Sequence, residues 1–147
     1  SRWTDAGDVQ YLERHGKPVE EMCVASETEA MEDILHHVKL GQDGYETVAI
    51  LTMTEAQAKK VYQHLKKHRE DVFHVNRDSS VFKKGITVTT YYLAKGLEFD
   101  QVFIFGGEEE NAFFKQFRYI SATRALHELY VYDFINSNAN RKDTVLR

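Results

Sequence analysis

TVAILTMTEAQAKKVYQHL, running from Thr47 to Leu65, changes its period partway along. Thr47 to Leu51 is nearly continuous in apolar and β-branched residues, as expected of a strand covered on both faces in a parallel sheet. Thr54 and Gln57 then form a capping box, and Ala58, Val61, Tyr62 and Leu65 recur at i, i+3, i+4 and i+7, the stripe of an amphipathic helix. A strand leading into a helix is the unit from which parallel sheets are built.

The same alternation extends both ways. Upstream, Glu20 to Ser26 reads as a short strand, and Ser26 with Glu29 makes the S-x-x-E pattern of a helix start. Met31, Ile34, Leu35 and Val38 follow at helical spacing, with Gly41 placed to end that helix in the left-handed conformation. Downstream, Asp71 to Val75, Gly85 to Thr90, Asp100 to Phe105 and Glu128 to Phe134 are strand candidates, and Ala112 to Ala125 reads as a helix. The loop Asn76 to Lys84 carries Asn, Asp and Ser turn formers, and Gly106 to Asn111 is a second loop. This order predicts an α/β fold, a mostly parallel sheet flanked by helices. Residues 1–147 are expected to form a single domain: 1–19 irregular or an added edge element, 20–135 the α/β core, 136–147 a polar tail that frays.

The 147 residues are 42% hydrophobic and 29% charged, with one Pro, which is the profile of an ordinary globular domain. Cys23 is the only cysteine, so a disulfide framework and a cysteine-rich zinc site are excluded and a cytoplasmic setting is the expectation. No apolar run approaches the roughly 20 residues that cross a bilayer, so no membrane partner is expected. The start at Ser1, without an initiator Met, suggests a piece of a longer polypeptide. A net charge of −4 argues against holding nucleic acid by bulk electrostatics, so any such contact must be local.

A nucleotide-hydrolysing sheet of this type normally carries GxxxxGK followed by Ser or Thr, whose amides and lysine cradle phosphates. The nearest approach is Gly16-Lys17, with Tyr11 at the first glycine and Pro18 at the hydroxyl position, so the chain has no phosphate loop of its own. Two other segments stand out at strand ends, where open parallel sheets place ligands. They are TYYLAKGLEFD, Thr90 to Asp100, and YISATRALHELYVYD, Tyr119 to Asp133, with Arg124 expected in the last turn of a helix.

This pair resembles motifs V and VI of superfamily-1 helicases of the UvrD/Rep type, most closely the helicase IV/HelD branch, and VAILTMTEAQAKKVYQHL is similar to motif IV. The resemblance covers about Thr47 to Phe134. It implies the C-terminal RecA-like motor domain of an ATP-dependent DNA helicase, a fold of the P-loop NTPase type. Its partner would be an N-terminal RecA-like domain of the same polypeptide, which carries the phosphate loop and holds ATP and Mg2+; the chain alone would be inactive. Arg124 would be the arginine finger, Glu98 would approach the ribose, and Gly96 would allow close backbone approach beside it. Thr90 and Tyr92 would contact single-stranded DNA. Two positions depart from the pattern: Tyr92 replaces the motif V histidine, and Met53 stands at the motif IV arginine. HelD-type proteins also act on RNA polymerase, which is an alternative partner. A non-catalytic interaction domain of helicase shape is an alternative of another class.

Plainer roles attach to other residues. His64 and His68 have the i, i+4 spacing of zinc ligands, but Lys66, Lys67 and Arg69 beside them oppose a cation, so a solvated face is expected and no metal ligand is assigned. Phe113, Phe114, Phe117 and Tyr119 are expected mostly in the core.

Overall fold

The computed structural model describes residues 18–77 and 84–134. Six strands form one sheet: β1 (Val19–Val24), β2 (Thr47–Thr52), β3 (Val72–His74), β4 (Gly85–Thr90), β5 (Phe99–Phe105) and β6 (Ala125–Phe134). Their order is β1-β6-β5-β2-β4-β3, and all the pairings are parallel. Three helices accompany them: α1 (Glu27–His37), α2 (Glu55–Leu65) and α3 (Phe114–Ala122).

The helix starts follow the sequence. Ser26 Oγ accepts from Glu29 N at 3.1 Å, and Glu29 returns the bond one residue early, to Ala25 N at 2.8 Å. At α2 the box closes fully, with Thr54 Oγ1 accepting from Gln57 N and Gln57 Oε1 accepting from Thr54 N. The helix ends follow it less well. α1 stops at His37 because Val38 is already extended (φ −61°, ψ 128°), and Gly41, although left-handed at φ 83°, sits in the loop beyond. α3 is shorter than Ala112 to Ala125: no side chain caps its start at Phe113, and its closing residue Thr123 is followed by Arg124 and then directly by β6. That strand begins at Ala125 rather than Glu128.

Alternation along the buried strands splits the core in two. Val48, Ile50, Phe103, Phe105, Tyr130 and Tyr132 face α1 and α2, against Ile34, Val61 and Leu65. Ala49, Leu51, Val102, Ile104, Leu129 and Val131 face α3, against Phe114 and Phe117. Phe113 and Tyr119, expected with them, are instead exposed on α3.

β4 and β5 are parallel but separated by β2, so the chain must return along the sheet between them. It does so without a helix. Tyr91 to Glu98 runs through turns closed by Ala94 N to Tyr91 O (3.2 Å), Lys95 N to Tyr92 O (3.4 Å) and Leu97 N to Ala94 O (3.0 Å), with Tyr91 and Ala94 buried on the α3 face. Val19, the last residue of the stretch expected to be irregular or an added edge element, is the first residue of edge strand β1. The expectations for 1–17 and for the tail from 135 onward lie outside the described residues. Among those described, no helix is long and apolar enough to cross a membrane.

Candidate functional site

The return segment divides the sequence-predicted site residues between two edges of the sheet. Thr90 ends β4, so it and Tyr92 lie at the carboxyl end, whereas Gly96 and Glu98 directly precede β5 at the amino end. At about 3.3 Å per strand residue, these edges are about 20 Å apart. The general preference of parallel sheets for carboxyl-end ligand sites therefore does not describe the Gly96–Glu98–Arg124 group. It gathers at the opposite rim.

There, two turns are joined by one side chain. Arg124 lies in the turn between α3 and β6 rather than in the helix, and its Nη1 donates to the Leu97 carbonyl at 3.1 Å. Its Nη2 donates to Thr123 Oγ1 at 3.2 Å, and its own carbonyl accepts from Phe99 N at 2.9 Å. No carboxylate pairs with Arg124 among the described residues. Gly96 has φ 83°, a conformation costly for other residues, and a Cβ there would meet no atom within 4 Å. Glu98 is exposed beside it. The rim thus presents a guanidinium without a carboxylate partner, an open backbone turn and an exposed carboxylate within one loop pair.

This rim is braced by polar groups that the sequence reading did not single out. Asp100 Oδ2 accepts from Glu46 N (2.7 Å), Thr47 N (3.1 Å) and Thr47 Oγ1 (3.3 Å), tying the start of β5 to the start of β2. Burial pushes the Asp100 carboxyl upward, but these bonds, with His127 nearby, hold it below its ordinary value of 3.8. Such a group stabilises the fold above that value and loses its contribution as the pH falls through the depressed one. Asp100→Asn should therefore cost about 1 to 2 kcal/mol at neutral pH. In chemical denaturation, the gap between wild type and variant should narrow below about pH 4. Deeper in, Gln101 donates to Glu128 at 2.7 Å and to the His37 carbonyl at 3.0 Å, while Lys39 Nζ reaches Glu128 at 2.8 Å. These residues hide from pattern reading because each is a polar position inside an apolar run.

At the carboxyl edge, Thr90 and Tyr92 border an open groove of about 550 Å³ shared with Met53, Asn76 and Arg77. Thr90 is only 8% exposed and Tyr92 64%, so Tyr92 offers the surface and Thr90 the floor. Lys95 Nζ lies 4.9 Å from the Tyr92 ring centroid. An exposed aromatic ring beside a lysine suits a stacked base and its phosphate. Met53 packs towards Gly107, where a Cβ would come within 2.7 Å of its methyl carbon, so this position is filled by packing rather than by charge.

Between the edges, α3 is fastened by a residue that looks like surface in the sequence. Arg118 is 1% exposed, its Nη1 donates to Asp133 Oδ1 at 2.5 Å, and its guanidinium lies 5.3 Å from the Phe114 ring centroid. Only its spacing one turn from Phe114 hinted that it faces inward.

No family profile matches this sequence, and a search of curated proteins finds no relative. Solved structures do resemble the fold. The C-terminal domain of a possible DNA helicase from Lactobacillus plantarum WCFS1 matches with a TM-score of 0.66 and 23% identity over 80% of this chain and 73% of that one. The C-terminal domain of the DEAD-box protein Dbp5 matches with a TM-score of 0.60 and 13% identity, over 88% and 82%. At such identities the likeness speaks for architecture: this chain has the RecA-like α/β fold of helicase C-terminal domains.

Proposed function

We infer that this chain is the second motor lobe of an ATP-driven nucleic-acid translocase of the UvrD type, in its helicase IV/HelD branch. The supporting observation is the meeting of Arg124 with the Gly96–Glu98 turn, on one rim, with no carboxylate neutralising the guanidinium among the described residues. Residues present fit half of a nucleotide site. Nothing in them resembles a phosphate loop or a magnesium-binding acid pair, so ATP and Mg2+ belong on an N-terminal lobe of the same polypeptide. Bound between the lobes, ATP supplies the phosphoryl group whose transfer drives movement.

What this chain contributes is cationic, positional and mechanical. Arg124 would turn from the Leu97 carbonyl to the charge developing on the terminal phosphate. Glu98 would accept a ribose hydroxyl, and Gly96 would keep the backbone close. Thr90 and Tyr92 would hold single-stranded DNA at the far edge, with Tyr92 stacking where a histidine is usual. The eight residues from Tyr91 to Glu98 run directly from one edge to the other, so a shift of the nucleotide-facing turn is transmitted to the groove.

The test is ATP turnover on single-stranded DNA by the complete polypeptide, wild type against Arg124→Ala. Unchanged turnover sinks this reading. Whether the complete protein purifies with DNA or with RNA polymerase separates the two outputs open to this branch.

A further inference from the structure

The outer face of α1 and α2, which cover one face of the sheet, carries a group of donors unrelated to either edge. His64 and His68 stand one turn apart on α2, and Glu32 reaches them from α1, so that one donor atom from each lies within 4.8 Å of the other two. Glu32 Oε2 is already 2.9 Å from His64 Nε2, and the two imidazole centroids are 5.5 Å apart. Two of the three cations that argue against a metal in the linear sequence are turned elsewhere. Arg69 is held by Asp71 through two bonds of 2.9 and 2.8 Å, and Lys66 Nζ sits 5.0 Å from the Tyr62 ring centroid. Lys60, one turn before His64, is paired with Glu27 at 2.8 Å.

We propose that Glu32, His64 and His68 form a binding site for a divalent transition metal, zinc or a similar borderline ion, that clamps α1 to α2. Two imidazoles and one carboxylate are a recurrent zinc donor set, with the remaining position left to water. Bonds of about 2.0 to 2.1 Å in a tetrahedron bring donors to about 3.3 Å, a contraction that small side-chain rotations supply because Glu32 and His68 are exposed. Since α1 and α2 each cover part of the same sheet face, a bound ion would resist their separation and raise the unfolding temperature by mass action.

The experiment uses the 147-residue chain prepared without a polyhistidine tag. Cobalt(II) should bind at one equivalent and give the intense visible absorption of a tetrahedral ion, zinc should displace it, and zinc should raise the melting temperature by several degrees. Glu32→Gln keeps a hydrogen-bonding group for His64 but is a poor ligand, and His68→Ala removes a donor outside the core. Each should weaken cobalt affinity by roughly tenfold to a hundredfold and shrink the thermal shift. Absence of one-equivalent binding overturns the site, and so does binding that both variants leave unchanged. A plain Glu32–His64 hydrogen bond gives the former result.

Discussion

Arg124→Ala in the complete polypeptide should lower ATP turnover on single-stranded DNA by about 10³-fold or more, the range measured for arginine fingers elsewhere. That factor corresponds to about 4 kcal/mol of barrier. The competing role is structural: the guanidinium bonds to the Leu97 carbonyl and to Thr123 Oγ1, and so staples the two turns together. Two bonds from a half-exposed cation to neutral acceptors are worth about 1 to 3 kcal/mol of folding stability. The two roles therefore predict opposite patterns. A finger gives a domain that melts within a few degrees of wild type yet scarcely turns over. A staple gives a less stable domain that is fully active while folded. Arg124→Lys sharpens the comparison, because it keeps the charge but loses the fork that spans two acceptors. A finger should recover little with lysine. Turnover within a few-fold of wild type in the alanine variant would end the assignment.

The sequence carries more of the fold than of the site. Strands β2, β4 and β5 were legible because nothing but a doubly covered sheet uses so many consecutive apolar and β-branched residues, and Ser26 and Thr54 mark the starts of α1 and α2 by their side-chain chemistry. The start of α3 was not, since Phe113 offers no capping oxygen. Motif order grouped Gly96, Glu98 and Arg124 but said nothing about which end of the sheet they occupy. That depends on the turns of Tyr91 to Glu98 carrying the chain back along the sheet without a helix. Polar residues inside apolar runs were opaque for a related reason. Gln101, Glu128 and Arg118 find partners 27, 27 and 15 positions away in sequence, and no local pattern announces a pairing of that separation. Glu32 was equally invisible beside His64, which lies on the other helix.

Asp133→Ala should be more destabilising than Asp100→Asn or Arg124→Ala, costing about 3 kcal/mol or more, read as a fall in the denaturation midpoint at unchanged slope. Removing this carboxylate takes a charged partner from a guanidinium that is 1% exposed, and the Phe114 ring at 5.3 Å compensates for only part of that loss. Because much of the cost is that of a buried charge deprived of its carboxylate, adding Arg118→Met should restore part of it, since methionine fills a similar apolar volume with nothing left to solvate. A double variant as unstable as the sum of the single changes would mean that the pair itself contributes the energy. The consequence for function follows from position. Arg118 and Arg124 are six residues apart on the chain segment that includes α3, the first fastening the helix to β6 and the second at the rim. Loosening α3 through Asp133 should reduce stability and turnover together, and turnover should recover at lower temperature as the folded fraction recovers. Loss at Arg124 should not recover on cooling, because no refolding restores a cation that is absent.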